Sequence, residues 1–124
     1  MTEMDRYEAQ YSFWSSFGVP AYEENSAPDA DEVEYPYITY QAVTAPFDND
    51  VQVNASVWDK STSWFTADKL ADAIEDSLKN GGKVLPYSGG MIWVTHESPF
   101  AQSMGDPEDD QIKRKLLSVV LHFA

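Results

Sequence analysis

The sequence predicts an α+β domain in which two helices pack on a mostly antiparallel sheet of four to five strands. Three observations lead to this prediction. Apolar residues with helical spacing open the chain and recur near its middle, runs with alternating apolar residues follow each of these segments, and turn-forming Gly, Pro and Asp separate them. A length of 124 residues with 43% hydrophobic content suits one core, so residues 1–124 are assigned to a single domain.

The first helix is expected between Thr2 and Phe17, with Glu3 and Asp5 favouring its N-terminal dipole. Gly18 is expected to end it. Apolar residues at spacings of three and four predict its buried face: Met4, Tyr7, Tyr11, Trp14 and Phe17.

Residues 18–34 are expected to form a long acidic loop, because the stretch VPAYEENSAPDADEVE has six acids, two prolines and no apolar period. Two strands are expected next, at Tyr35–Val43 and Val51–Trp58, joined through the turn APFDND. The alternation of the second strand predicts one buried face, made of Val51, Val53, Ala55 and Val57.

The second helix is expected from a cap at Thr62 or Ser63 to about Asn80, where Gly81-Gly82 end it. Its predicted buried stripe is Ala67, Leu70, Ala71, Ile74 and Leu78.

The last third of the chain is expected to be β-rich. Short strands at Lys83–Tyr87 and Met91–Glu97 are joined by a tight turn at SGG. Residues 98–110 are expected to form a second long acidic loop, and Ile112–Ala124 a closing strand, because its Val and Phe residues favour β structure.

Charge and composition exclude several classes of function. Twenty-one acidic residues against eight basic ones give a formal net charge of −13, which disfavours specific nucleic-acid binding because phosphates attract clustered Lys and Arg. An acidic surface still suits a passage through which DNA slides without sticking, although solubility alone is the simpler explanation. The absence of Cys excludes disulfides and thiolate sites. No secretory signal or membrane span is expected.

The sequence contains no catalytic, cofactor or metal-binding motif, and the chain is expected not to be an enzyme. His96 and His122 are isolated histidines without a nucleophile motif beside them. The acid runs at Asp48–Asp50 and Asp106–Asp110 lack the order of a calcium loop and are interpreted as solvated turns.

Aromatic residues are more numerous than one apolar face requires: seven Tyr, six Phe and four Trp. Tyr and Trp are the residues most enriched in protein–protein interfaces and their energetic centres. Two interpretations stay open. Some of these side chains form docking surfaces, or both faces of the sheet are covered within the chain.

The ordered series FWSSFGVPAYEEN, YPYITYQAVTAPFDNDVQVNASVW, STSW, GGKVLPYSGGMIWV and SPFAQSMGDPEDDQIKRKLLSVVLHF resembles small neck and tail-completion proteins of long-tailed bacteriophages and prophages, the tail terminators above all. The resemblance implies an α+β subunit that forms a hexameric ring on the head-proximal end of the tail tube. Such a ring ends tube growth and allows head–tail joining, with DNA passing through its hole. Its partners are its own copies, the major tail tube protein and the head–tail connector protein. It implies no catalytic residue and no cofactor, and a place in the virion tail or neck, with assembly in the host cytoplasm.

Candidate interface residues follow from the aromatic surplus and from the charges near the end of the chain. Each set has an alternative without an interface. The two tryptophans either pack between subunits or close the core, and the loop before the last strand either contacts the tube or connector or stays solvated. The three consecutive basic residues either meet an acidic neighbour or are solvated. The candidates are Trp58, Trp64, Phe100, Met104, Asp106, Asp109, Asp110, Lys113, Arg114 and Lys115.

Two other functions remain as alternatives. One is a head-closure or minor capsid protein at the neck. The other is an acidic DNA-mimic inhibitor, which the net charge suggests, although the acids are concentrated in the expected loops rather than along one surface.

Overall fold

The computed structural model describes residues 4–29, 31–46 and 49–124. Its elements in chain order are α1 (Arg6–Ser15), β1 (Ala21–Glu23), β2 (Tyr37–Tyr40), β3 (Asp50–Lys60), α2 (Phe65–Ser77), β4 (Lys83–Tyr87), β5 (Gly90–Gly105) and β6 (Ile112–Phe123). Neither α1 nor α2 is long and apolar enough to cross a membrane.

The strands form one six-stranded sheet in the order β1-β2-β3-β6-β5-β4. This confirms the α+β class but corrects the strand number, and the sheet is mixed because β1 runs parallel to β2. β1 lies inside the segment expected to be a loop (residues 18–34). It is held by hydrogen bonds from Ile38 N to Pro20 O (2.9 Å) and from Glu24 N to Tyr40 O (2.8 Å). A strand of three residues is too short to show an alternating pattern, so only its pairing with β2 defines it.

The second expected loop, residues 98–110, is also corrected, because β5 continues to Gly105. The register with β6 shifts between His96 and Ala101, which marks a β-bulge or irregularity. Ser98 and Pro99 fall in this irregular stretch, so residues that indicated a loop instead interrupt the pairing without ending the strand.

Both helices pack on the same face of the sheet, here called the inner face. Trp14 of α1 stacks on Tyr40 of β2 with ring centroids 6.1 Å apart. The predicted stripe of α2 is confirmed: Ala67, Ala71, Ile74 and Leu78 are buried and Leu70 is half-buried. On β3 the predicted face is confirmed for the buried Val53, Ala55 and Val57, with Val51 partly buried against the core. The opposite, outer face carries no described helix.

The buried face of α1 differs from the prediction. Asp5 caps the helix, accepting from Glu8 N at 2.8 Å, while a start at Thr2 lies outside the described residues. Tyr7 and Tyr11 are 45% and 52% exposed, and Met4 is also exposed. The buried residues are Ala9, Gln10, Phe13 and Trp14, with Phe17 packed against the core.

Several boundaries differ from the prediction, among them the end of α2, which lies at Ser77 rather than near Asn80. β2 is shorter than expected, and the APFDND turn after it includes Phe47 and Asp48, which lie outside the described residues. Trp64 occupies the cap position of α2, while Ser63 Oγ accepts from Phe65 N at 3.1 Å. After α2, Gly82 has a φ of +89°, and a Cβ there would clash with the backbone oxygen of Val94, so this close approach requires glycine.

Candidate functional site

The register of three strands places an aromatic–arginine row on the outer face. Trp58 of β3 is directly opposite Tyr37 of β2 on one side and Arg114 of β6 on the other. Directly opposed residues share a face of an antiparallel sheet. The Tyr37 and Trp58 rings stack with centroids 6.2 Å apart, and Arg114 Cζ lies 4.8 Å from the Trp58 ring centroid. The arrangement therefore combines aromatic stacking with a cation–π contact.

Two further tyrosines extend this row towards the edge of the sheet. The ring centroids of Tyr35 and Tyr22 lie 5.3 Å and 6.1 Å from that of Tyr37. Burial, and to a smaller extent the neighbouring Tyr35 and Tyr22, raise the pKa of Tyr37 above its ordinary value. The Tyr37 phenol is therefore neutral at physiological pH, and the charge of the row comes from Arg114.

Hydrogen bonds fix the orientation of the row. Trp58 Nε1 donates to Thr39 Oγ1 at 2.9 Å, and Arg114 Nε donates to Ser56 Oγ at 2.9 Å. Side chains held in this way lose little conformational entropy when a partner binds. The row is thus a preorganised surface of the three residue types that dominate interface energetics.

A groove of about 260 Å³ adjoins the row where β5 turns back into β6. Its lining combines apolar surface with one cation and one carboxylate: Trp58, Met104, Gly105, Asp106, Pro107, Ile112 and Arg114. Met104 is directly opposite Arg114 and 41% exposed, so it continues the row across the sheet. The structure therefore brings together four predicted site residues: Trp58, Met104, Asp106 and Arg114.

The predicted basic triplet is divided between the two faces, because neighbouring residues of a strand point in opposite directions. Lys113 and Lys115 lie on the inner face, with Nζ atoms 5.5 Å and 5.9 Å from the Trp64 ring centroid. Lys115 Nζ also lies 2.9 Å from Asp68 Oδ1 of α2. Trp64 is half-buried against the core in this cluster, away from the row.

The remaining candidates lie in and beside the β5–β6 turn. Phe100 is 6% exposed and belongs to the core, which corrects its expected place in a surface loop. Asp106 Oδ1 accepts from Glu108 N at 2.8 Å and from Asp109 N at 3.2 Å, so it shapes the turn. Asp109 Oδ2 lies 3.8 Å from Lys60 Nζ. Asp110 is exposed, and its carbonyl oxygen accepts from Lys113 Nζ.

A polar chain on the outer face was not predicted. Asp50 Oδ1 lies 2.7 Å from His122 Nδ1, and His122 Nε2 lies 2.9 Å from Thr95 Oγ1. The order carboxylate, imidazole, hydroxyl is that of a nucleophilic relay. Here, however, the hydroxyl stands on a regularly paired strand rather than on the sharp turn that presents a catalytic nucleophile. We interpret these three hydrogen-bonded side chains as a structural link between β3, β6 and β5.

The described carboxylates contain one group close enough to share a cation: Asp29, Asp31 and Glu32, whose oxygens lie within 4.8 Å of one another. All three are exposed, as solvated acidic residues commonly are. The group lies in the segment between β1 and β2, not in the acid runs considered from the sequence.

No known protein family, curated protein or solved structure matches this chain. The outer face, which no described helix covers, carries the candidate site formed by the row and its groove.

Proposed function

We propose that this chain is a structural subunit of a bacteriophage or prophage tail, and that a ring of six copies caps the head-proximal end of the tail tube. The ring ends tube growth and provides the surface for head–tail joining. The observation that carries the proposal is the preorganised Tyr37–Trp58–Arg114 row beside its groove, on a sheet face that no described helix covers. An assembly subunit needs such a surface. The part offered to a partner is formed by the half-buried Trp58 and Arg114 and the exposed Met104, whereas Tyr37 is buried beneath its neighbours.

The charge of the chain supports the same proposal. A formal net charge of −13 lets DNA pass a ring of such subunits without adhering, because like charges repel. Within the row, the cation of Arg114 lies over Trp58 and is turned to the outer face, so the proposed docking surface is less acidic than the chain as a whole.

Electron microscopy of lysates from the phage or prophage lacking this gene tests the proposal. Overlong tail tubes beside filled, tailless heads are expected, because tube growth has no stop. Normal-length tails lying unattached beside heads would instead support the head-closure alternative. Normal virions would exclude both.

Complementation with matched charge variants tests the docking surface. Arg114→Glu is expected to leave tubes overlong, because it removes the cation over Trp58 and reverses the charge beside the groove. Lys69→Glu makes the same change at an exposed position of α2 and is expected to restore normal tails. Circular dichroism of both purified variants separates a docking defect from misfolding. Full rescue by Arg114→Glu would show that the row is not the docking surface.

A further inference from the structure

One edge of β5 has no partner over the part of the strand nearest the β5–β6 turn. β4 pairs only with residues 90–94, although β5 is 16 residues long. After the irregularity, Ala101–Gly105 pairs with β6 on one side, and no described strand pairs with its other side. Gln102, Ser103, Met104 and Gly105 are exposed there.

The hydrogen bonds of β6 determine which β5 residues face this open edge. Ala124 exchanges both backbone bonds with Met91 of β5, at 2.8 and 2.9 Å, whereas Phe123 N donates to Asn49 O on the β3 side. Along a strand, the backbone N–H and C=O groups of successive residues point alternately to the two neighbouring strands. Because β6 pairs with β3 without interruption, the backbone groups of Leu116 and Arg114 point to β5, like those of Ala124. The backbone groups of their partners Gln102 and Met104 therefore bond to β6. The backbone groups of the alternate residues, Ala101, Ser103 and Gly105, point outward to the open edge.

The two ends of the sheet are less suited to strand addition. The backbone groups of Met91 bond to β6, so those of Pro86, which lies directly opposite on β4, point to the outer edge of the sheet. Proline has no N–H to donate there. At the other end, β1 has only three residues, and its Glu23 carbonyl already accepts from Ser26 N at 2.8 Å. Neither end therefore offers an uninterrupted complement for the β5 edge, whereas the β5 edge of a second copy does.

The sequence of the open edge lacks the usual protection against pairing. Proteins guard exposed strand edges with charges, proline or bulges. Here Pro99 and the irregular stretch protect the beginning, but Ala-Gln-Ser-Met-Gly at 101–105 has no charge in a chain that is 23% charged. Copies with a net charge of −13 repel each other, and an uncharged edge is where two of them approach at least cost.

We propose that this edge is a self-association site at which two copies pair their β5 strands antiparallel about a two-fold axis at Ser103. In this register Ser103 exchanges both N–H···O=C bonds with Ser103 of the second copy, and Ala101 does so with Gly105. Every outward backbone group of the segment is then satisfied, and Gln102 faces Met104 on the outer face. The charge nearest the axis is that of Lys115, which bonds Ser103 Oγ in each copy, and Asp68 neutralises it at 2.9 Å.

The contact is separate from the ring of the proposed function. A ring is built from head-to-tail contacts, whereas this pairing is isologous, so either can fail alone. Five residues a side give a small interface, and the dimer is accordingly weak. It keeps the open edge covered in the free protein, before assembly.

Single cysteines test the pairing, because the chain has none of its own. Ser103→Cys is expected to form a disulfide dimer under mild oxidation, since Cα atoms of a hydrogen-bonded pair lie about 5.5 Å apart, within disulfide range. An equimolar mixture of Gln102→Cys and Met104→Cys is expected to yield the mixed dimer in clearly more than the twofold excess over either homodimer that random pairing gives. Thr66→Cys, exposed on α2, reports random collision. Equal rates for Thr66→Cys and Ser103→Cys would overturn the proposal.

A backbone variant makes the test independent of cysteine chemistry. Ser103→Pro removes an outward N–H but no β5–β6 bond, and it is expected to weaken dimerisation about tenfold or more in sedimentation equilibrium. Ser103→Ala is the matched control. Both variants lose the 2.9 Å bond from Lys115 Nζ to Ser103 Oγ, but alanine keeps the N–H, so its dimer should match wild type. If Ser103→Pro dimerises like Ser103→Ala while circular dichroism shows both folded, the proposal is wrong.

Discussion

At the scale of single residues, Gln10 does more for the fold than its type suggests. It is 1% exposed in the middle of α1. Its Nε2 donates to Val43 O at 2.8 Å and to Arg6 O at 3.1 Å, and its Oε1 accepts from Val43 N at 3.1 Å. The Gln10 side chain thus supplies the hydrogen-bond partners for the backbone of Val43, in the stretch after β2 that does not pair with another strand.

Replacing Gln10 by leucine tests this role. Gln10→Leu keeps similar volume but leaves both backbone groups of Val43 without their partner, so we expect the free energy of unfolding to fall by about 1–3 kcal/mol. Urea unfolding followed by Trp fluorescence measures it. Gln52→Leu, at an exposed position of β3, is the matched control and should change stability by no more than about 0.5 kcal/mol. Equal effects would show that the amide is not a structural link.

The prediction left open whether Trp58 closes the core or forms an interface, although the strand period bears on that choice. The alternation of β3 places Trp58 opposite in direction to Val57, so its turn away from the core follows from the sequence. Its contact with Arg114 does not, because it depends on the register of β3 against β6, two strands separated by more than 50 positions in the chain. The division of the basic triplet between faces was likewise available from the strand period once Ile112–Ala124 was predicted as β.

At the scale of elements, α1 shows where periodicity fails. Aromatic residues occupy more than one side of this helix, and spacing alone selected Tyr7 and Tyr11, whose hydroxyl groups tolerate water. The structure instead buries Phe13 beside Trp14, with ring centroids 4.8 Å apart. The helix was therefore predicted correctly in type and approximate position, but three of the five residues predicted for its buried face, Met4, Tyr7 and Tyr11, are exposed.

Alanine substitutions on the two sides of α1 test the corrected face. Trp14→Ala removes a ring that is 2% exposed and stacked on Tyr40, and should lower the free energy of unfolding by about 3–5 kcal/mol. Tyr11→Ala, at 52% exposure, should change it by about 0.5 kcal/mol or less. Urea unfolding of both variants, followed by circular dichroism, measures the difference. A larger loss from Tyr11→Ala would restore the face predicted from the sequence.

The loops expected at 18–34 and 98–110 failed for a shared reason. Both contain Pro and several acids, which predict a break when they are considered locally. In both, pairing with a distant strand overrides that signal: β1 with β2, and the end of β5 with β6. Local composition still located the turn itself, because Asp106 and Asp109 accept the backbone N–H groups that shape it.

At the scale of the whole molecule, the sequence predicted the α+β class and the buried face of β3 better than it predicted the candidate site. Two helices, the strong alternation of β3 and the closing strand sufficed for an α+β layer structure. The open β5 edge was out of reach, because it arises from the mismatch between a long β5 and a short β4, and both lengths are decided by pairing.

The net charge leads to a prediction for self-association as a whole. Two copies with a formal charge of −13 each repel over a distance set by the Debye length, about 30 Å at 0.01 M salt and about 10 Å at 0.1 M. The proposed β5–β5 contact is uncharged, so salt screens the repulsion without weakening the contact. Sedimentation equilibrium from about 0.01 to 0.5 M NaCl should therefore show the dimer strengthening with salt. Ser103→Pro should stay largely monomeric throughout the series. An average mass that does not change with salt would show that charge repulsion does not limit association. Dissociation of the dimer with rising salt would indicate that ion pairs, rather than an uncharged strand edge, hold it together.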